Sequence, residues 1–134
     1  MPPAVTTFTV PQNSKTRTIP LTFTVSETTG IDYLITESAT KPSAANSAGW
    51  QDAKPTTYTV TSDGTQTLYA WARRNIEGRD VLVSSVRASD IVIVDTAAPA
   101  APIITAPAAN TTLTIAAPIF MGTAEAGSTV KITY

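Results

Sequence analysis

The chain has 134 residues with nine basic and ten acidic side chains, a net charge of −1. It contains no Cys and no His, so thiolate nucleophiles, Cys/His zinc sites and histidine general bases are all excluded. Near-neutral charge offers nucleic acid or an anionic membrane no electrostatic attraction, and hydrophobic residues at 43% still allow a packed core.

The first run, Val5–Val10, reads as a short strand ended by Pro11. From Arg17 to Val25 the pattern alternates: Ile19, Leu21, Phe23 and Val25 fall on one face, Thr18, Pro20, Thr22 and Thr24 on the other. Period two is the mark of a half-buried strand. Pro20 lacks a ladder donor, which predicts an edge or a bulge there. After a turn at Gly30, Ile31–Thr36 is the next strand, with Ile31, Tyr33 and Ile35 inward. Glu37–Gly49 has no periodicity and reads as a long connection ending at Trp50. Thr56–Val60 is a strand, and Ser62-Asp63-Gly64 a turn. In Gln66–Ala72, Leu68, Ala70 and Ala72 share one face and Tyr69 and Trp71 the other. The last run extends from Val81 to Asp95, and its nearly continuous Ile91–Val94 stretch predicts a well-buried strand.

Residues 1–95 therefore carry about seven strands, the count of an antiparallel β-sandwich. Residues 96–102 form a Pro-rich, extended linker. Residues 103–134 restart the strand pattern at Ile103, Thr111–Ile115, Pro118–Ala124 and Thr129–Tyr134, as the opening of an incomplete second β domain. So short a segment cannot bury a core of its own, which predicts either an interrupted domain or strands supplied by a neighbour. No apolar run approaches the ~20 residues of a membrane helix. The start lacks the basic and apolar regions of a signal peptide, so a secreted origin requires an internal position in a longer chain.

Residues 31–83 resemble a bacterial immunoglobulin-like repeat found in tandem in large surface and secreted proteins. The stretches that carry the resemblance are Tyr33–Ser43, Gly49-Trp50, Pro55–Tyr58 and Gly64–Ala72. Arg73–Asp80 departs from it, being longer and more charged than the usual hairpin. Asp95–Pro99 is similar to a border between such repeats, and Gly122–Val130 to the opening of a second, related type. The resemblance implies an immunoglobulin-like sandwich and a non-catalytic, extracellular spacer whose partners are neighbouring repeats of the same polypeptide. It implies no catalytic residue.

Trp50, Tyr69 and Trp71 could form an aromatic platform for a glycan or host protein; the competing reading packs these rings beneath the Glu37–Gly49 connection. Arg73, Arg74, Arg79 and Arg87 could meet an acidic polymer, but Glu77, Asp80 and Asp90 lie among them, as on a solvated hairpin. Glu77, Gly78 and Arg79 are expected at an exposed hairpin tip. Asp95, with Asp90 and Glu125, is the best set for calcium at the joint between domains. Calcium takes six or more oxygens, and the joint has no dense acidic motif, so the sequence reads as cofactor-free. Ser84-Ser85 has no base to activate it. A filament built by exchange of 103–134 between copies is the remaining alternative.

Overall fold

The computed structural model describes residues 1–43, 48–75, 82–84 and 88–133. Its ordered elements are strands: β1 (Val5–Thr9), β2 (Asn13–Ser14), β3 (Thr18–Pro20), β4 (Thr22–Val25), β5 (Ile31–Thr36), β6 (Thr57–Thr59), β7 (Gly64–Arg74), β8 (Leu82–Val83), β9 (Ala88–Val94), β10 (Ile103–Ala106) and β11 (Met121–Thr123). The fold is all-β, and no helix is long and apolar enough to cross a membrane among the described residues. The chain divides into two compact units, Met1–Thr96 and Ala97–Tyr134.

In the first unit, β5, β7 and β9 are antiparallel neighbours, with β2 running parallel to β9 at the far edge. The register is continuous, from Ile31 opposite Arg74 to Thr36 opposite Tyr69, and from Gly64 opposite Val94 to Ala70 opposite Ala88. The remaining strands share out one extended run. The Arg17–Val25 ribbon divides at Pro20-Leu21: β3 pairs with β6, whereas β4 pairs with β1. Pro20 has no N–H, but Leu21 N–H still donates to Thr56 O at 2.9 Å, and Val60 N–H to Arg17 O at 2.9 Å. The ribbon thus uses one edge first and the opposite edge afterwards.

Both groups of strands turn apolar faces to a common core. Ile19, Leu21 and Phe23 meet Ile31, Tyr33, Ile35, Leu68, Ala70, Ala72, Val92 and Val94 there. Phe23 packs edge-on against both Phe8 and Tyr33, with ring centroids 6.2 and 5.6 Å away. Each large apolar side chain withdrawn in this way contributes roughly 1.5–3 kcal/mol. Alternate Thr residues (Thr7, Thr9, Thr22, Thr24, Thr57, Thr59) remain exposed on the outer surface.

Several expectations require correction. Ile91–Val94 is not continuously buried: Val92 and Val94 are 0% and 1% exposed, but Ile91 and Ile93 are 53% and 50% exposed. The stretch obeys strand alternation despite its uniform composition, because only one face of β9 meets the core. The Val81–Asp95 run is divided between β8 and β9. The first strand is followed by an unforeseen partner for β9 in β2. Residues 77–79, expected at a hairpin tip, lie outside the described residues.

Among the described residues, the second unit forms one antiparallel pair, β10–β11. Gly122 allows a close approach, since a Cβ there would come within 2.4 Å of Ile103 O. Thr111–Ile115 and Thr129–Thr133 have strand patterns but form no strand. Ile103, Ile104, Ile115, Ile119 and Met121 are all more than half exposed. Alternation alone does not hold a strand, which needs a hydrogen-bonded neighbour and a covered face.

Candidate functional site

Tyr69 and Trp71, two of the three aromatic residues singled out by sequence, lie on the outer face of β7, beside β5. Alternation sends Leu68, Ala70 and Ala72 into the core and leaves Tyr69, Trp71 and Arg73 on the opposite face. Asp32, Leu34 and Thr36 of β5 stand beside them, with Asp32 opposite Arg73, Leu34 opposite Trp71 and Thr36 opposite Tyr69. An outer face would ordinarily be wet, yet Trp71 is 1% exposed, Asp32 7% and Arg73 8%.

Part of the cover comes from the chain around Trp50. Gln51 bridges Tyr33 through N–H···O bonds of 2.7 and 2.9 Å, holding this segment along the edge of β5. Gly49 makes the approach feasible: its φ is +79°, and a Cβ would meet Leu34 Cδ1 at 3.1 Å. The Trp50 ring then lies 4.7 Å from the Arg73 guanidinium carbon, a cation–π contact. Beneath it Asp32 Oδ2 accepts from Arg73 Nε at 2.9 Å, Arg73 Nη2 at 2.8 Å and Asn75 Nδ2 at 3.0 Å. Trp71 Nε1 donates to Thr36 Oγ1 at 2.9 Å. Val83 of β8 is also buried here, opposite Arg73.

The three aromatic residues therefore differ in what they offer. Trp71 presents no ring face to solvent. Trp50 is half-buried, with Arg73 against its ring. Tyr69 is half-buried near the middle of β7. The arrangement amounts to a second apolar cluster closed over a buried ion pair.

The basic residues are likewise engaged. Arg74 pairs with Glu27, and Arg73 with Asp32; Arg79 and Arg87 lie outside the described residues. Asp90 Oδ2 accepts from Val10 N–H at 2.9 Å and its Oδ1 from Ile91 N–H at 2.9 Å. Asp95 pairs with Lys15 at 3.3 Å on an exposed surface. Glu125, in the second unit, accepts from Ala100 N–H at 3.0 Å. Among the described residues no group of three or more carboxylates gathers as a metal site. Ser84 serves the ladder: its N–H donates to Ala72 O at 2.7 Å and its hydroxyl accepts from Ala72 N–H at 3.2 Å. Every buried side-chain nitrogen or oxygen among the described residues has a hydrogen-bond partner.

Two carboxylates that the sequence did not single out have specific tasks. Asp63, in the turn before β7, accepts from Arg17 Nε at 2.8 Å and from the Thr96 hydroxyl at 2.6 Å. Those bonds, Thr96 first, lower its carboxyl from 3.8 to about 2. Glu37 accepts from Thr61 N–H at 3.0 Å, Thr61 Oγ1 at 2.8 Å and the Tyr58 hydroxyl at 3.3 Å. Burial, then the nearby charge and hydrogen bond of Glu37, raises the Tyr58 phenol above its ordinary value. Neither carboxylate has a sequence signature, because the partners of each lie more than twenty residues away along the chain. Compared with protein families, curated proteins and solved structures, the chain finds no match.

Proposed function

We propose that this chain is a non-catalytic spacer module from a bacterial cell-surface or secreted protein built of repeated β domains, and that its work is length and resistance to extension outside the cell. The observation that carries this reading is the parallel pairing of β2 with β9. β1 and β2 open the unit and β9 ends it, so a parallel β2–β9 pair brings the chain in at one end and out at the other, as modules strung end to end require. The two paired strands also oppose a pull on the termini in shear. Ile93 N–H to Gln12 O at 2.9 Å and Asp95 N–H to Ser14 O at 3.0 Å lie across that pull and take the strain together.

The strand order supports an immunoglobulin-like sandwich. In that reading the two-stranded sheets β1–β4 and β3–β6, joined through the Arg17–Val25 ribbon, make up one layer, and β2–β9–β7–β5, with β8 on β7, the other. Lettered in that fold's convention these are A-B-E and A′-G-F-C. The resemblance of residues 31–83 to tandem surface repeats points the same way. An interior filled by apolar side chains and a neutralised ion pair gives the unit stiffness rather than a reaction cleft.

Single-molecule extension through the two termini tests the proposal. The first unit is expected to resist and then yield in one step, lengthening by roughly 300 Å as its residues straighten. Gradual lengthening at low force, without a discrete step, would overturn it.

A further inference from the structure

β4 pairs with β1 along one edge, and among the described residues no named strand covers the other. Two hydrogen bonds fix the direction of its backbone groups. Ser26 N–H points toward β1, donating to Ala4 O at 2.8 Å, whereas Leu21 N–H points away, donating to Thr56 O at 2.9 Å. Strand alternation therefore turns the N–H and C=O of Phe23 and Val25 away from β1. Beside this edge lies a groove lined by Thr7 of β1, by residues 21–24 and by residues 54–56. Lys54 crosses it: its Nζ donates to Phe23 O at 3.0 Å and lies 5.6 Å from the Phe23 ring centroid. Pro55, next to it, has no N–H to offer the edge.

We infer that the open edge of β4 is a strand-pairing site for a second copy of this chain, and that the Lys54 ammonium holds it closed. The second copy is the occupant because the window matches itself. Antiparallel pairing centred on Thr24 sets Phe23 opposite Val25 of the second copy, and Val25 opposite its Phe23. Each such pair exchanges two N–H···O bonds, so all four outward backbone groups at Phe23 and Val25 are used. Thr22–Val25 carries no charge, so no like charges are opposed within the ladder. The obstacle is Lys54. In the symmetric pair each ammonium occupies the Phe23 carbonyl that the incoming Val25 N–H requires, and the two ammonium groups are drawn to one short ladder. Lysine at a strand edge is an established guard against such pairing.

Sedimentation velocity on the full chain, with amide exchange followed at Phe23 and Val25, tests this. The wild type is expected to leave both amides unprotected, and Lys54→Arg to behave likewise. Lys54→Ala is expected to tighten self-association about tenfold or more and to slow exchange at both amides by a similar factor. Lys54→Gln, which keeps much of the stem, is the companion variant, and unchanged protection in β7 and β9 reports that each variant is folded. Adding Val25→Pro to Lys54→Ala removes an edge donor and should restore wild-type behaviour. Association and exchange unchanged in both Lys54→Ala and Lys54→Gln would overturn the inference. So would association that Val25→Pro leaves intact, or Lys54→Arg pairing as strongly as Lys54→Ala.

Discussion

The hydroxyl of Thr96 donates to Asp63 Oδ2 at 2.6 Å, fastening the last residue of the first unit to the turn that opens β7. The Thr96 N–H adds a second bond at 3.1 Å, and Arg17 Nε holds Oδ1 at 2.8 Å. The anion is thus favoured in the folded state, with its carboxyl held at about 2 instead of 3.8. A lowered carboxyl stabilises the fold fully above its ordinary value and loses that contribution as pH falls through the folded one. Asp63→Asn is expected to lower the thermal midpoint at about pH 6 and to differ progressively less from wild type between about pH 4 and pH 2. Melting curves of both proteins across that range are the check, and a difference independent of pH would contradict the assignment.

The Asp32–Arg73 pair behaves differently because its side chains are only 9% and 10% exposed. Removing one partner strands a charge in poorly hydrated surroundings, at a cost of about 3–5 kcal/mol. Asp32→Ala is expected to fall in that range. Arg73→Met should lose less from the uncompensated charge, because the carboxylate keeps the Asn75 bond at 3.0 Å, but it forfeits the Trp50 stacking of about 0.5–1 kcal/mol. The double variant should be markedly more stable than the sum of the single losses predicts. Urea unfolding of all four proteins measures the coupling.

Trp71 is a structural residue on its geometry. Trp71→Ala is expected to cost about 3–5 kcal/mol, as for other large core truncations. Thr36→Val keeps the shape and removes the acceptor 2.9 Å from the indole N–H, which should cost about 1 kcal/mol. Denaturant midpoints distinguish the two effects. A stable, native-like Trp71→Ala protein would mean that the ring is not closed beneath its neighbours.

What the sequence revealed follows from where each signal resides. β4, β5 and β7 were legible because inward residues recur at every second position (Phe23 and Val25; Ile31, Tyr33 and Ile35; Leu68, Ala70 and Ala72), and alternation is a local property. Pro20 marked an edge or a bulge within one strand, but the division of Arg17–Val25 into β3 and β4 with an exchange of edges was not legible, since partner choice depends on β1 and β6. β2 was not legible: two residues carry no period, and their strand character comes from β9. Alternation placed Trp71 on the face opposite Leu68, and packing beneath the Glu37–Gly49 connection was one of the two readings open to it. Burial of Asp32 and Arg73 was hidden, Arg73 reading as part of a solvated hairpin, because the Gly49-Trp50 segment that closes over Leu34 and Arg73 is a tertiary event. Thr111–Ile115 shows the converse, a good pattern with no neighbour to pair with.

β9 gives the sharpest check on the register of the sheet, because a slip of one residue would exchange its buried and exposed sets. Val92 lies opposite Gln66 and is 0% exposed; Ile91 and Ile93 lie opposite Thr67 and Thr65 and are half exposed. Threonine retains the branched shape that strands favour, so Ile91→Thr and Ile93→Thr are expected to change stability by only about 0.5 kcal/mol each. Val92→Ala gives up less hydrophobicity and adds no polar atom, but it leaves a void in the core, and about 2 kcal/mol should be lost. The smaller loss of hydrophobicity therefore has the larger effect, the reverse of the order that hydrophobicity alone predicts. Chemical denaturation of the three variants decides between the registers: a severe loss at Ile91 and Ile93 with a tolerant Val92 would place the opposite face of β9 in the core.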